Sequence, residues 1–224
     1  MTPSRRALAG HLRAASLGAA TLGAALLATP AAAHPHVWIT ARAELVFTPE
    51  GKVMGVRHAW TFDEAYSAFV TQGLDKDGDG RLTPEELAPL AEENTKNLEE
   101  FGYFTRLKIT GKAQEFDAPR EPRMVFADKR ATLGFLLPLK APVPPGRGAV
   151  SLEVYDATFF VDFALAEGED AARLSGAPAG CRATVTRAKA PAQAGGEPLS
   201  EAFFAALTAA DSLKFANRIL VACP

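Results

Sequence analysis

Soft and borderline metal ligands are scarce in this 224-residue chain, which carries only four histidines and two cysteines. No histidine-rich tract is present, which argues against a high-capacity store for transition metals. There is no excess of basic residues either. The formal net charge is −2, which removes the electrostatic reason to expect a nucleic-acid partner. After residue 33 no apolar run approaches the roughly 20 residues that a membrane-spanning helix needs. No internal repeat appears. No Ser/His/Asp or Cys/His set stands out, so hydrolysis is not indicated and the expectation is a binding protein without enzymatic activity.

About half of the residues are apolar (48%), enough for a sizeable core. The first 33 residues differ from the rest. Their only charges are Arg5, Arg6 and Arg13, followed by "AASLGAATLGAALLATPAAA". A positive start, a small apolar stretch and terminal alanines predict a secretory signal peptide over 1–33, cleaved after Ala33. Loss of three arginines takes the formal charge from −2 to −5, a balance suited to cations. In an oxidising compartment Cys181 and Cys223 are expected to pair, closing a disulfide.

The remainder, 34–224, reads as a single secreted domain. "HVWITARAELVFT" and "KVMGVRHAWTF" alternate apolar and polar residues about the turn "TPEGK", predicting a hairpin over about 36–63. Further strands are expected in "YFTRLKITGK", "RMVFADKRATLGFLLPL", "GAVSLEVYD", "TFFVDFAL" and "CRATVTRAK". "APAQAGGEP" reads as a connector and "LSEAFFAALTAAD" as a helix capped by Ser200. Between early strands, about 64–101 has helical spacing on both sides of an acidic loop. The expected fold is therefore α+β: a mainly antiparallel, β-sandwich-like domain with an inserted EF-hand-like helix-loop-helix.

The acidic loop is "DKDGDGRLTPEE", 75–86. Its spacing resembles the EF-hand pattern. Asp75, Asp77 and Asp79 take the first, third and fifth places, and Gly80 the sixth, where φ must be positive. Arg81 would offer its carbonyl, Thr83 a direct or water-mediated contact, and Glu86 both carboxylate oxygens. Ca²⁺ takes six to eight hard oxygens, and four carboxylates clustered without an ion would repel one another. Ca²⁺ is the expected ligand. A lone loop of this kind in a secreted protein is expected to bind weakly and to act as a clamp rather than a sensor.

"HPHVW" follows the predicted cleavage site. His34 would offer an imidazole and a free amine, and His36 lies on the same side of an extended segment. Pro35 has no N–H, which excludes the square amide chelate of copper or nickel at an amino terminus. A site of two imidazoles completed by a carboxylate or water remains open, most consistent with Zn²⁺. His58 in the second strand and the carboxylates of Asp63, Glu64, Asp156 and Asp162 are the candidate completing groups.

The mature start "HPHVW", "WTFDEAYS", "LAPLAEENTKNLEEFGYFT" after the acidic loop, "VYDATFFVDF" and the terminal "FANRILVAC" together resemble the domain of unknown function 1007 family of secreted bacterial proteins, which includes ZevA-type periplasmic zinc proteins. The resemblance spans essentially the whole mature chain. It implies a periplasmic accessory component that captures or senses Zn²⁺, or Ni²⁺, for an inner-membrane NicO/RcnA-type metal permease. It carries over to His34 and His36, and to His58, Asp63 and Asp156 as further site residues. Two other readings stay open: a Ca²⁺-stabilised structural or interaction domain without transition metal, and a copper enzyme built on the N-terminal histidine.

Overall fold

The computed structural model describes residues 37–146, 148–187 and 216–224. The chain divides into two units, Met1–Ala31 and Ala32–Pro224, and the elements below belong to the second. The expected signal peptide, His34, His36, the connector at 190–198 and the predicted helix from Ser200 lie outside the described residues.

Alternation builds the first hairpin. Strand β1 (Val37–Phe47) buries Val37, Ile39, Ala41, Ala43 and Leu45, while the residues between them face outward. It pairs antiparallel with β2 (Val53–Phe62), from Ile39 opposite Phe62 to Phe47 opposite Val53. The chain reverses through Gly51 at φ 75°, a conformation that costs glycine least. Two more strands extend this sheet, β5 (Arg120–Ala127) and β6 (Arg130–Val143). They are joined by Asp128 and Lys129, both at positive φ (51° and 62°), as tight hairpin turns favour. The sheet runs β5-β6-β2-β1, and β1 completes it by pairing parallel with β8 (Val161–Leu165) and β9 (Ala172–Ser175). At the β2–β6 irregularity, a Cβ on Gly55 would come within 2.5 Å of the Leu137 carbonyl oxygen. Only glycine allows the two backbones to approach this closely.

The second sheet has the order β10 (Arg182–Thr186), β11 (Asn217–Ala222), β7 (Val150–Val154), β3 (Thr105–Ile109), β4 (Lys112–Ala113). Leu107, Ile109, Leu152, Val154, Ile219 and Val221 of this sheet share one buried cluster with Trp60, Leu133 and Phe135 of the first. Trp60 stands edge-on to Phe135 at 4.9 Å and to Phe163 at 5.1 Å between ring centroids, the arrangement aromatic quadrupoles prefer. The expected disulfide is present: Cys181–Cys223 closes the β10–β11 pair one step beyond the Arg182–Ala222 register.

The helical expectation needs correction. The protein is mostly β, and no EF-hand helix-loop-helix is inserted. Helix α1 (Glu64–Val70) is only seven residues long, too short to stand without its neighbours. The helical spacing of "EAYSAFVTQGL" runs on past it, but the chain does not. Thr71 turns its hydroxyl back onto the Ser67 carbonyl at 2.7 Å, and Gly73 enters the left-handed region at φ 77°. The acidic loop is therefore reached from a turn rather than from a helix. Helix α2 (Pro84–Asn97) is the one long helix among the described residues. Pro84 opens it, a capping box of Thr83 and Glu86 closes its first turn, and Leu87, Ala91 and Thr95 form its buried face. A 3-10 segment, Leu98–Phe104, then leads into β3 through Gly102, Tyr103 and Phe104, all at positive φ.

Candidate metal centre

Backbone amides shape the acidic loop. Asp75 Oδ1 accepts from Gly78 N–H at 2.8 Å and its Oδ2 from Gly80 N–H at 2.9 Å. Asp77 Oδ1 accepts from Asp79 N–H at 3.1 Å, and Asp79 Oδ1 from Arg81 N–H at 2.7 Å. Gly78 and Gly80 both lie at positive φ (73° and 80°). These bonds fold the loop back on itself, so carboxylates separated in sequence point to one place. The last is Glu86, whose Oε2 accepts from the Thr83 N–H and hydroxyl, both at 2.9 Å, and whose Oε1 accepts from Lys76 N–H at 2.7 Å. Donation from the Thr83 and Lys76 amides holds the Glu86 carboxyl below its usual range, because such bonds favour the ionised form.

One carboxylate oxygen from each of Asp75, Asp77 and Glu86 lies within 4.8 Å of the others. Asp79 turns toward Arg81 and is outside that group. Thr83 serves α2 as its N-cap, with its hydroxyl accepting from Glu86 N–H at 3.3 Å. The donor set is all oxygen and anionic. That suits a hard divalent cation such as Ca²⁺, and no nitrogen or sulfur is present to favour a softer one.

The other predicted ligands sit elsewhere. Asp63 ends β2 and caps α1: its Oδ1 accepts from Tyr66 N–H at 2.9 Å and its Oδ2 from Trp38 N–H at 3.1 Å. Asp156 is buried and clamps the loop before β8. It accepts from Thr158 N–H at 2.8 Å, from the Thr158 hydroxyl, and from Val161 N–H at 3.0 Å. Trp38 and Val37 are the first residues of β1, and Val37 stands opposite Val161. Both carboxylates thus lie against the part of β1 that directly follows His36. Beside them opens a cavity of 480 Å³ with mainly apolar walls, including Val37, Trp60, Phe62, Phe104 and Asp156.

His58 is not part of that neighbourhood. It stands opposite Ala43, well along β1, and is completely buried between Trp60 and Phe135. Its Nε2 lies 3.2 Å from the Thr105 hydroxyl of the second sheet. That hydroxyl already donates to the Tyr103 carbonyl at 2.7 Å, so the imidazole must donate from Nε2, leaving Nδ1 bare and without a partner. Burial pushes its pKa down to about 3. His58 and Trp60 are two residues apart in β2, so alternation puts both on one face, the signal in the sequence for a core position. The capping role of Asp63 was also legible in "FDEAYS", where a cap residue precedes the first helical turn. The bonds of Asp156 to Thr158 and Val161 are local, but its place against β1 was not legible, because the pairing of Val37 with Val161 comes from strand order.

No helix among the described residues is long and apolar enough to cross a membrane. Among curated proteins the chain is similar to an uncharacterized 15.5 kDa protein of Spirochaeta aurantia, encoded in a trpE 3′ region. The two are 32% identical over 88 residues, covering 39% of this chain and 62% of that relative. The family model described as "Protein of unknown function (DUF1007)" matches residues 19–223. The chain therefore belongs to the DUF1007 family.

Proposed function

We propose that the protein is a periplasmic metal-binding accessory component, not an enzyme, with two separate cation sites. Ca²⁺ binds the acidic loop through the converging Asp75, Asp77 and Glu86, with Asp79 turning in from the Arg81 amide on binding and the Arg81 carbonyl and Thr83 completing the shell. The observation that carries this part is the convergence of three carboxylate oxygens within 4.8 Å in a loop shaped by its own amides. Three anionic oxygens held this close repel one another until a cation neutralises them. The ion clamps the segment between α1 and α2.

The second site takes Zn²⁺, or Ni²⁺, at His34 and His36, and the protein captures or senses that metal for an inner-membrane NicO/RcnA-type permease. Support comes from the resemblance and from the setting of β1, where Asp63 and Asp156 flank the residues that directly follow the histidine pair. We leave His58 out of this set, since its ring is enclosed by the core. The test is metal analysis of tag-free mature protein, followed by Zn²⁺ titration under saturating Ca²⁺. Zn²⁺ binding should be lost in the His34→Ala/His36→Ala double variant. Equal affinity in wild type and double variant removes the transition-metal site and leaves a Ca²⁺-stabilised interaction domain.

A further inference from the structure

Arginines far apart in sequence meet on the outer face of the larger sheet. Cross-strand pairing sets Arg42 opposite Ala59, Ala59 opposite Gly134, and Gly134 opposite Arg123. One row thus reads Arg-Ala-Gly-Arg across four strands. At about 4.8 Å per strand the two end residues stand roughly 14 Å apart, and the two small residues leave a low floor between them. Arg123 lies inward over that floor: a Cβ on Gly134 would come within 2.8 Å of its Nε and 3.2 Å of its Cζ. In the next row Arg57 is paired with Glu44 at 3.5 Å and with Glu121 at 2.5 Å, and Arg173 is paired with Asp170. Arg42 and Arg123 form no ion pair among the described residues.

These groups surround a depression of 200 Å³, lined by four arginines and only two carboxylates, Glu44 and Asp170. The whole chain is net negative, so this is a local reversal of sign, which concentrates anions at one place. The guanidinium fork matches oxyanions in two-point contact. The Arg123 charge also acts on Glu121, yet neither Arg123 nor Arg42 is held in an ion pair among the described residues. Two forks lining one depression suit a group with oxygens on several sides better than a flat carboxylate, which one fork satisfies.

We propose that this trough binds a phosphate group, as the free ion or on a small monoester or lipid headgroup, between Arg42 and Arg123 over Ala59 and Gly134. The site lies on the opposite face of the sheet from the core and is independent of the cation sites. The hydroxyls of Thr61 and Thr132, 2.9 Å apart on the adjoining row, edge the floor on the side away from Arg57.

The experiment is calorimetric titration of the full mature protein with inorganic phosphate and with methyl phosphate, and co-sedimentation with phosphatidylglycerol-containing vesicles. Saturable phosphate binding is expected, weakened at least tenfold in Arg42→Gln/Arg123→Gln. Arg42→Lys/Arg123→Lys keeps the charge and loses the forks, and should also weaken binding severalfold. Gly134→Ala should do the same by lifting Arg123 off the floor, with an unchanged melting temperature showing that the sheet is intact. Vesicle binding that phosphate competes away, and that the Gln variant lacks, identifies a headgroup ligand. Phosphate binding without vesicle binding identifies a soluble one. Absence of saturable binding to every probe, or equal affinity in wild type and the Gln variant, overturns the proposal.

Discussion

The core around Trp60 and the loop from Asp75 to Glu86 are built on opposite principles. The core has large apolar groups, almost no polar ones, and rings in edge-on contact. Its single imidazole is kept neutral by burial. The loop is exposed and acidic, and its order comes from hydrogen bonds between carboxylates and backbone amides. Apolar burial lowers the free energy of the fold in proportion to area, about 25 cal/mol per Å². A cluster of exposed carboxylates gains nothing comparable and carries mutual repulsion. Stability therefore resides in the sandwich, and the chemistry proposed here resides in a segment that contributes little to it until a cation is bound.

Damage to the sandwich should produce the largest effects. Trp60→Ala removes the largest fully buried side chain and should cost about 3–5 kcal/mol, read from urea denaturation. A loss under 1 kcal/mol would contradict its central position. Next, Cys181→Ser/Cys223→Ser opens a loop with a sequence separation of 42. The chain-entropy treatment of a loop of that size gives roughly 4 kcal/mol, and native proteins typically show 2–4. Reduced protein melting at the same temperature as oxidised protein would contradict this.

A third prediction uses pH. His58 ordinarily titrates near 6.5 and is held to about 3 in the fold. As pH falls through about 6.5 the unfolded chain takes up a proton that the folded chain refuses. Stability should therefore fall on acidification within that window, by about 1.4 kcal/mol per pH unit from this group. His58→Leu should flatten the slope, and an unchanged slope would place the acid sensitivity elsewhere. The smallest effect is expected at Asp63→Ala, which removes the cap of α1 and should cost about 1 kcal/mol, measurable as a small shift in the urea midpoint.

Legibility followed the same division. The hairpin of β1 and β2 lay open in the sequence because alternation and turn residues are local signals, and strand character was legible in "RMVFADKRATLGFLLPL", though not its division into the β5–β6 pair. The parallel strand β9 did not, being four residues long with mixed burial. The EF-hand expectation failed at its entering helix. Apolar spacing continued through "VTQGL", but back-bonding by Thr71 and left-handed Gly73 end the helix early. Within the loop, positive φ at Gly80 followed from the residue pattern. The row from Arg42 to Arg123 had no local signature, since only strand order brings its members together.

Calorimetric titration of Ca²⁺ into tag-free protein, in wild type and Glu86→Gln, decides whether the acidic loop is a Ca²⁺ site. One site is expected in the wild type, on the order of 10⁻⁴–10⁻³ M as for extracellular Ca²⁺ modules, weakened at least tenfold by loss of the Glu86 charge. Equal affinity in the two proteins, or no Ca²⁺ binding to the wild type, would contradict that assignment.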